Sequence, residues 1–172
     1  MIVLIHGNAG VGKTTVAQML NDKLSQESIV VEVDKLRYNV VDQRVDTTQL
    51  DLVDQQVLTA AEAFLNTSYE TVIIEGVYPS QNHLYRVVDR LHKIDPDVYV
   101  YRLDCSLREN IQRDEHREDV LTVGEKVKEV FEEFNHLEED KELGAVVDTT
   151  GLTPDKTIEK IEELIEEELG RV

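Results

Sequence analysis

Residues 2–15, IVLIHGNAGVGKTT, decide how the rest of the chain is organised. The uninterrupted apolar run from Ile2 to Ile5 predicts a strand that is buried on both faces. Glycines follow this strand, and a helix is expected to begin near Lys13. The stretch therefore predicts a buried strand, a tight glycine-rich loop and a helix in direct succession.

The loop has the spacing Gly7-x-x-x-x-Gly12-Lys13-Thr14, which fits the P-loop pattern in the strand–loop–helix context that this pattern requires. Glycines let successive backbone N–H groups point at a phosphate, and the positive end of the helix dipole adds to the attraction. Lys13 is expected to reach the β- and γ-phosphates of ATP, and the Thr14 hydroxyl to bind Mg²⁺. The alternative is an ordinary glycine-rich turn, but the four fixed positions match by chance in about one chain of this size in a hundred. The predicted nucleotide-binding residues of the loop are Gly7, Asn8, Ala9, Gly10, Val11, Gly12, Lys13, Thr14 and Thr15.

The length of 172 residues suits a single domain, residues 1–172, with a core large enough to fold alone. Because the first strand begins at residue 2 and no apolar run of about 18 residues follows, we expect neither a signal peptide nor a membrane span, and hence a cytoplasmic protein. The lone Cys105 agrees with a reducing compartment. We interpret it as a small core residue without a catalytic role.

The formal net charge of −18 disfavours binding to nucleic acid or to an anionic membrane surface. Its distribution is uneven. Residues 1–117 carry 18 acidic and 12 basic side chains, a net charge of −6, whereas residues 118–172 carry 18 acidic and 6 basic ones, a net charge of −12. The excess of acidic side chains is therefore predicted on the solvated faces of C-terminal helices, away from the glycine-rich loop.

Five predicted strands alternate with helices along the chain, which indicates a three-layer α/β fold with a parallel sheet, right-handed crossovers and helices on both faces. Ser106 and Thr153 are predicted helix N-caps, and Pro154 fits the first position of the last helix. Residues 38–46 show no clear period, which favours a loop or a short irregular helix. The predicted strands cover residues 2–5, 29–33, 71–74, 98–103 and 145–147.

Acidic residues stand at the ends of the second and third predicted strands. Ligands bind at the carboxyl ends of the strands in open α/β sheets, so Asp34, just past the second strand, is a candidate site residue. Glu75 ends the third strand in the position of a Walker B acid, which can hold the Mg²⁺ shell through water. Glu32, predicted on the same side of its strand as Asp34, is the alternative to Glu75 for completing that shell.

Arg113 and Arg117 are four residues apart, so they share one face of a predicted helix. Each can make bidentate phosphate contacts or stack on a nucleobase. The alternative is a surface ladder in which the arginines pair with Glu109 and Asp114.

The loop and the order of elements resemble the small P-loop kinases, a family that includes shikimate kinase, gluconate kinase, adenylate kinase, chloramphenicol phosphotransferase and polynucleotide 5′-hydroxyl kinase. The resemblance implies a P-loop NTPase fold with a five-stranded parallel sheet in the order 2-3-1-4-5. It also implies that Asp34, in the motif Asp34-x-x-Arg37, takes the proton from an acceptor hydroxyl while Arg37 holds phosphate or substrate. The segment around residues 106–124 is similar to the lid of that family, whose two arginines match Arg113, near the adenine, and Arg117, near the transferred phosphate.

Other parts of the chain extend or limit this resemblance. Asp148 and Thr149, followed by Thr153-Pro154, are similar to the segment that lines the adenine pocket. The glycine-rich acceptor loop of shikimate kinases has no counterpart, and residues 75–79 are more like the Walker B stretch of uridine kinases and phosphoribulokinases.

The leading hypothesis is a kinase that transfers the γ-phosphate of Mg·ATP to a hydroxyl of a small molecule. One alternative is a nucleotide-dependent binding or switch protein whose partner contacts the acidic C-terminal helices. Another is a polynucleotide or toxin-type kinase, which Asp34-x-x-Arg37 permits but the negative charge disfavours. The expected ligands are therefore ATP, Mg²⁺ and a small hydroxyl acceptor, and no motif indicates a particular acceptor or oligomeric state.

Overall fold

The structure, a computed structural model, describes residues 1–24, 27–40, 47–78, 80–115 and 143–170, without the side chains of residues 38–40, 47–49, 114 and 115. Five strands and six helices lie in these ranges. The strands are β1 (Ile2–Gly7), β2 (Ser28–Glu32), β3 (Thr71–Gly76), β4 (Val98–Asp104) and β5 (Ala145–Asp148). The helices are α1 (Lys13–Leu24), α2 (Val33–Val40), α3 (Thr47–Leu65), α4 (Gln81–Leu91), α5 (Leu107–Glu115) and α6 (Pro154–Glu168).

The sheet is entirely parallel and has the strand order β2-β3-β1-β4-β5. The predicted α/β fold and its order 2-3-1-4-5 are thus confirmed. Leu4 in the central strand β1 pairs with Ile74 of β3 on one side and with Val100 of β4 on the other. This arrangement brings the loop after β1 to the middle of the carboxyl edge, between the ends of β3 and β4.

Two apolar layers bury the two faces of the sheet because successive side chains of each strand point to opposite faces. On one face, Leu4 belongs to a cluster with Val57 of α3 and Leu84 of α4. On the other face, Ile5 belongs to a cluster with Leu20 of α1 and residues of α6. Burial of such a side chain contributes about 1.5–3 kcal/mol, so the strand that leads into the loop is held from both sides.

Several predicted local features are confirmed. Thr153 caps α6 by accepting from the N–H of Lys156, with Pro154 in the first turn, and Ser106 accepts from the N–H of Glu109 at the start of α5. Cys105 is buried, and burial raises the pKa of its thiol. None of the helices in the described ranges combines the length and apolarity needed to cross a bilayer.

The prediction for the end of the second strand is wrong. β2 ends at Glu32, and Asp34 lies in the first turn of α2, so the two carboxylates do not share one side of a strand. Val33, predicted as the last residue of the strand, instead packs on the end of β3, where a Cβ on Gly76 would lie 2.7 Å from that of Val33. Its burial therefore comes from a helix contact and not from strand pairing. The helix also includes residues 38–40, which were predicted as loop or irregular helix. The capping pattern Thr122-x-x-Glu125 predicts a further helix, but this segment, like Arg117 and the lid beyond residue 115, lies outside the described residues.

Candidate active site

The loop between β1 and α1 turns sharply at its glycines. Gly7 and Gly10 have φ angles of 145° and 83°, which L side chains rarely adopt. A Cβ at Gly7 would also lie 2.3 Å from the carbonyl oxygen of Leu103 in β4. Glycine at position 7 is therefore required both by the backbone and by the neighbouring strand.

Three side chains donate hydrogen bonds to carbonyl groups of this loop. Lys13 Nζ lies 2.9 Å from the carbonyl oxygen of Asn8 and is buried. The amide nitrogen of Asn110, in α5, lies 2.6 Å from the carbonyl oxygen of Ala9. Arg113, one turn further along α5, donates to the carbonyl of Val11 at 3.1 Å. The loop is thus fixed by its own lysine and by one face of α5.

A cavity of about 290 Å³ opens beside the loop, close to the lower end of the usual range for small-molecule sites. The predicted residues Gly10 to Thr15, together with Arg113 and Thr149, line it, whereas Gly7, Asn8, Ala9 and Asp148 do not. The carboxylate of Asp148 instead accepts from the N–H of Thr150, and the hydrogen bonds from Thr150 lower its pKa. The remaining lining residues are Val16, Leu152, Pro154 and Thr157.

Arg113 joins the loop to the segment after β5. One guanidinium nitrogen donates to Val11 and to the hydroxyl of Thr149 at 2.9 Å, and the other donates to the Thr149 carbonyl at 2.9 Å. The second nitrogen also lies 2.6 Å from the carboxylate of Glu109. The ion pair of the surface-ladder interpretation therefore exists, and the same arginine also lines the cavity.

Glu75, at the end of β3, is the buried carboxylate nearest to the start of α1. The Thr14 hydroxyl donates to its Oε1 at 3.2 Å, and its Oε2 is buried without a hydrogen-bond partner among the described residues. Burial raises the pKa of Glu75, and the charge of Lys13 opposes that rise. Glu32, which pairs with Glu75 across the β2–β3 ladder, is instead bonded to Lys35 at 2.7 Å and Gln18 at 3.1 Å.

This donor set fits Mg²⁺, which prefers oxygen ligands and usually keeps several waters. A hydroxyl beside a carboxylate oxygen that lacks a protein donor supplies such oxygens. No group of three or more His, Cys, Asp or Glu side chains in the described ranges could hold a metal alone. Mg²⁺ sites of this kind take their remaining ligands from water and from substrate phosphates.

Asp34 and Arg37 lie one turn apart on α2. Arg37 Nη1 lies 3.2 Å from Asp34 Oδ1, and Nη2 donates to the carbonyl of Val77 at 3.0 Å. The Asp34 side chain is 38% exposed, so its carboxylate can be reached from solvent. Asp34 follows the end of β2, Glu75 lies at the end of β3, and Lys13 begins the helix after the loop that follows β1, so all three residues lie at the carboxyl edge of the sheet.

The family model of the AAA domain matches residues 2–138 of the chain. The chain belongs to the AAA domain family. No curated protein sequence matches this AAA domain protein significantly. The predicted resemblance to P-loop kinases is confirmed by solved structures, whose low identities limit the likeness to the fold.

Three solved structures illustrate this likeness to the AAA domain protein. The adenosine 5′-phosphosulfate (APS) kinase of Mycobacterium tuberculosis, in complex with AMPPNP and APS, is 16% identical, with 96% of each chain covered and a TM-score of 0.72. A sugar kinase from Janibacter sp. is 20% identical, with 93% of this chain and 91% of that chain covered and a TM-score of 0.68. A gluconokinase from Sinorhizobium meliloti is 16% identical, with coverages of 98% and 95% and a TM-score of 0.65.

Sequence reasoning missed a buried polar pair, which Tyr78 links to the residues around Arg37. His83 Nε2 of α4 lies 2.7 Å from the carboxylate of Asp54 in α3, and both side chains are buried. The ring of Tyr78, next to the Val77 that binds Arg37, stands edge-on to the His83 imidazole with centroids 5.7 Å apart. The only signal in the sequence was the placement of Asp54 and His83 within the apolar stripes of two amphipathic helices. Asn110 was also missed, although it stands three residues before Arg113 on the same helical face.

Proposed function

We propose that this protein binds Mg·ATP in the cavity beside the P-loop and transfers the γ-phosphate to a hydroxyl of a small molecule. The observation that carries the proposal is the 3.2 Å contact between Thr14 and Glu75. It joins the first turn of the P-loop helix to a buried acid at the end of the adjacent strand, where an ion on the β- and γ-phosphates would be held. A glycine-rich turn without a nucleotide has no need for such a pair.

Phosphate binding would use groups that are already oriented. The first N–H groups of α1 have no partner within the helix, and the helix dipole favours an anion at that end. Lys13 would exchange the Asn8 carbonyl for the β- and γ-phosphates. Because its ammonium is buried, its attraction for phosphate is screened less by water than that of a surface lysine.

Thr14 and Glu75 would hold the Mg²⁺ ion, Glu75 through a bound water. When bound, the ion neutralises charge that develops on the phosphate oxygens. Glu75 suits this role better than Glu32, whose carboxylate accepts from Lys35 and Gln18.

Asp34 would accept the proton of the acceptor hydroxyl. Its contact with Arg37 orients the carboxylate, and Arg37 is in turn fixed by the Val77 carbonyl. Arg37 would also bind phosphate or acceptor, while Arg113 would contact the nucleotide between the loop and Thr149. The predicted contribution of Arg117 to the transferred phosphate completes this proposal.

A thermal-shift screen tests the proposal directly. Metabolites that carry hydroxyl groups, and a 5′-hydroxyl oligonucleotide, are added with and without a non-hydrolysable ATP analogue and Mg²⁺. A ligand that binds only the folded state raises the melting temperature by mass action. We expect the ATP analogue by itself to raise the melting temperature. One class of acceptor should raise it further when the analogue is present. Absence of any shift with the analogue would contradict the proposal.

A further inference from the structure

The side chain of Asn110, in α5, hydrogen-bonds the backbone of the loop between β1 and α1. Asn110 as a whole is 1% exposed, and its side-chain amide nitrogen lies 2.6 Å from the carbonyl oxygen of Ala9. A Cβ on Gly10 would lie 3.0 Å from that nitrogen, so the loop packs directly against it.

The geometry of the peptide bond gives this contact a consequence for ligand binding. In a trans peptide, the carbonyl group of one residue and the N–H of the next point in opposite directions. The described chain has no cis peptide bond. When Asn110 holds the Ala9 carbonyl, it therefore turns the N–H of Gly10 away from the Asn110 amide, and Gly10 lines the cavity.

Arg113 acts on the loop in the same way two residues later. It binds the carbonyl of Val11, which directs the N–H of Gly12 away from α5, and Gly12 also lines the cavity. Arg113 has further bonds to Glu109 and Thr149, so its replacement would disturb several contacts together. Replacement of Asn110 therefore tests more directly whether the contacts with the loop carbonyls affect phosphate binding.

We propose that Asn110 is a positioning residue for phosphate binding, which holds the Ala9–Gly10 peptide so that the Gly10 N–H faces the phosphates. This inference rests on the proposed nucleotide site. Without the donor, the Ala9 carbonyl would lack its buried partner, and the peptide could rotate its oxygen towards the phosphate. A carbonyl oxygen in that position repels the anion, so phosphate affinity falls even where the fold is retained.

The test uses Asn110→Leu, which keeps the approximate volume and removes the donor, and Asn110→Ser, whose shorter side chain does not span the contact. Calorimetry measures the affinity of each protein for tripolyphosphate, adenosine and a non-hydrolysable ATP analogue, well below the melting temperature. The control Val88→Ala lies in the apolar cluster on the opposite face of the sheet and lowers stability without touching the loop.

We expect both Asn110 variants to bind tripolyphosphate and the ATP analogue about tenfold more weakly, the scale of one buried hydrogen bond. Adenosine affinity should change less than about twofold, since adenosine has no phosphate. Wild-type affinity for tripolyphosphate in either variant would overturn the inference, even with a lowered melting temperature. A wild-type protein that binds neither tripolyphosphate nor the analogue would instead contradict the proposed function.

A measurement on the wild-type protein keeps the inference testable should the variants fail to fold. Addition of tripolyphosphate should shift the amide resonances of Gly10 and Gly12 more than that of Ala9, because the Ala9 N–H donates to its neighbour Asn8 at 2.7 Å. Binding without a shift at Gly10 would overturn the inference.

Discussion

The Thr14 hydroxyl donates to Oε1 of Glu75 across 3.2 Å, although the two residues are 61 positions apart in the chain. The contact forms because β1 and β3 are adjacent parallel strands that end at the same edge. A hydroxyl from the P-loop helix and a carboxylate from the neighbouring strand thereby meet beside Lys13, whose charge acts on Glu75.

Glu75→Gln should stabilise the ligand-free protein and weaken its Mg²⁺-dependent nucleotide binding. Burial raises the pKa of Glu75, so the neutral form is favoured in the folded state. When the pKa of an acid is raised in the folded state, the free energy of unfolding falls as pH rises through that pKa. Glutamine does not titrate, so the Glu75→Gln variant does not lose this stability. We expect a higher melting temperature at pH 8 and a smaller gain in affinity for the ATP analogue on adding Mg²⁺.

The matched control is Glu32→Gln on the adjacent strand. Its carboxylate is bonded to Lys35 and Gln18, so the Mg²⁺ dependence should stay as in the wild type. The opposite pattern, with the Mg²⁺ effect lost in Glu32→Gln and kept in Glu75→Gln, would transfer the metal role to Glu32.

Asp34→Asn should lower phosphoryl transfer by roughly 10²-fold or more, the scale of losing a general base, while ATP affinity stays within a few-fold. Steady-state rates with an acceptor from the thermal-shift screen, together with calorimetry of the ATP analogue, measure both quantities. The exposed Asp51 of α3 supplies a control of equal charge change, Asp51→Asn. Lost ATP affinity would make Asp34 a residue of the magnesium shell, and unchanged transfer would make it structural.

His6 should make the protein less stable in acid. Burial, with the nearby charge of Arg102, lowers its pKa to about 4 from the usual histidine value of about 6.5. Below pH 6.5 the unfolded chain takes up a proton that the folded state does not, so stability declines between pH 6.5 and about 4. At about 1.4 kcal/mol for each pH unit, this loss is about 3 kcal/mol.

Urea unfolding of the wild type and of His6→Leu at pH 7.5 and pH 4 measures this effect. Relative to that of His6→Leu, the free energy of unfolding of the wild type should fall by about 3 kcal/mol between pH 7.5 and pH 4, because the leucine variant lacks this titration. A difference that is the same at both pH values would show that His6 does not carry the effect.

Asp54 and His83 should behave as a coupled pair. Removal of one partner leaves a buried polar group unsatisfied, which costs about 1–3 kcal/mol, whereas removal of both can be nearly neutral. We therefore expect His83→Leu and Asp54→Leu each to destabilise the protein, and the double variant to be more stable than the sum predicts. Urea unfolding of all four proteins gives the coupling energy, and strictly additive losses would contradict this account.

Features carried by contiguous residues were predictable from the sequence. The strand, loop and helix of residues 2–15 follow from an apolar run, glycine spacing and one lysine, and the sheet order came from the resemblance that this motif supports. The caps at Ser106 and Thr153 depend on residues three positions away, so they could also be predicted from the sequence.

The contacts that helix packing makes between distant residues were not predictable unless a motif marked both partners, as it did for Thr14 and Glu75. Val33 begins the helix that contains Asp34 and packs on Gly76, 43 residues later, and an apolar strand pattern cannot show that contact. Asn110 reaches the P-loop across 101 residues, and Asp54 meets His83 across 29. In each case, helix packing selects the partner, whereas local sequence fixes only the face on which a side chain stands.

Release of ADP by the wild type and by Lys13→Met, with and without the acceptor, tests the central claim most directly. The methionine keeps the length of the side chain and removes the charge that would bind the β- and γ-phosphates. We predict acceptor-stimulated ADP release by the wild type and its near-complete loss in Lys13→Met at an unchanged fold. Normal turnover in Lys13→Met, or slow hydrolysis in the wild type that no acceptor stimulates, would contradict the assignment of this protein as a phosphotransferase.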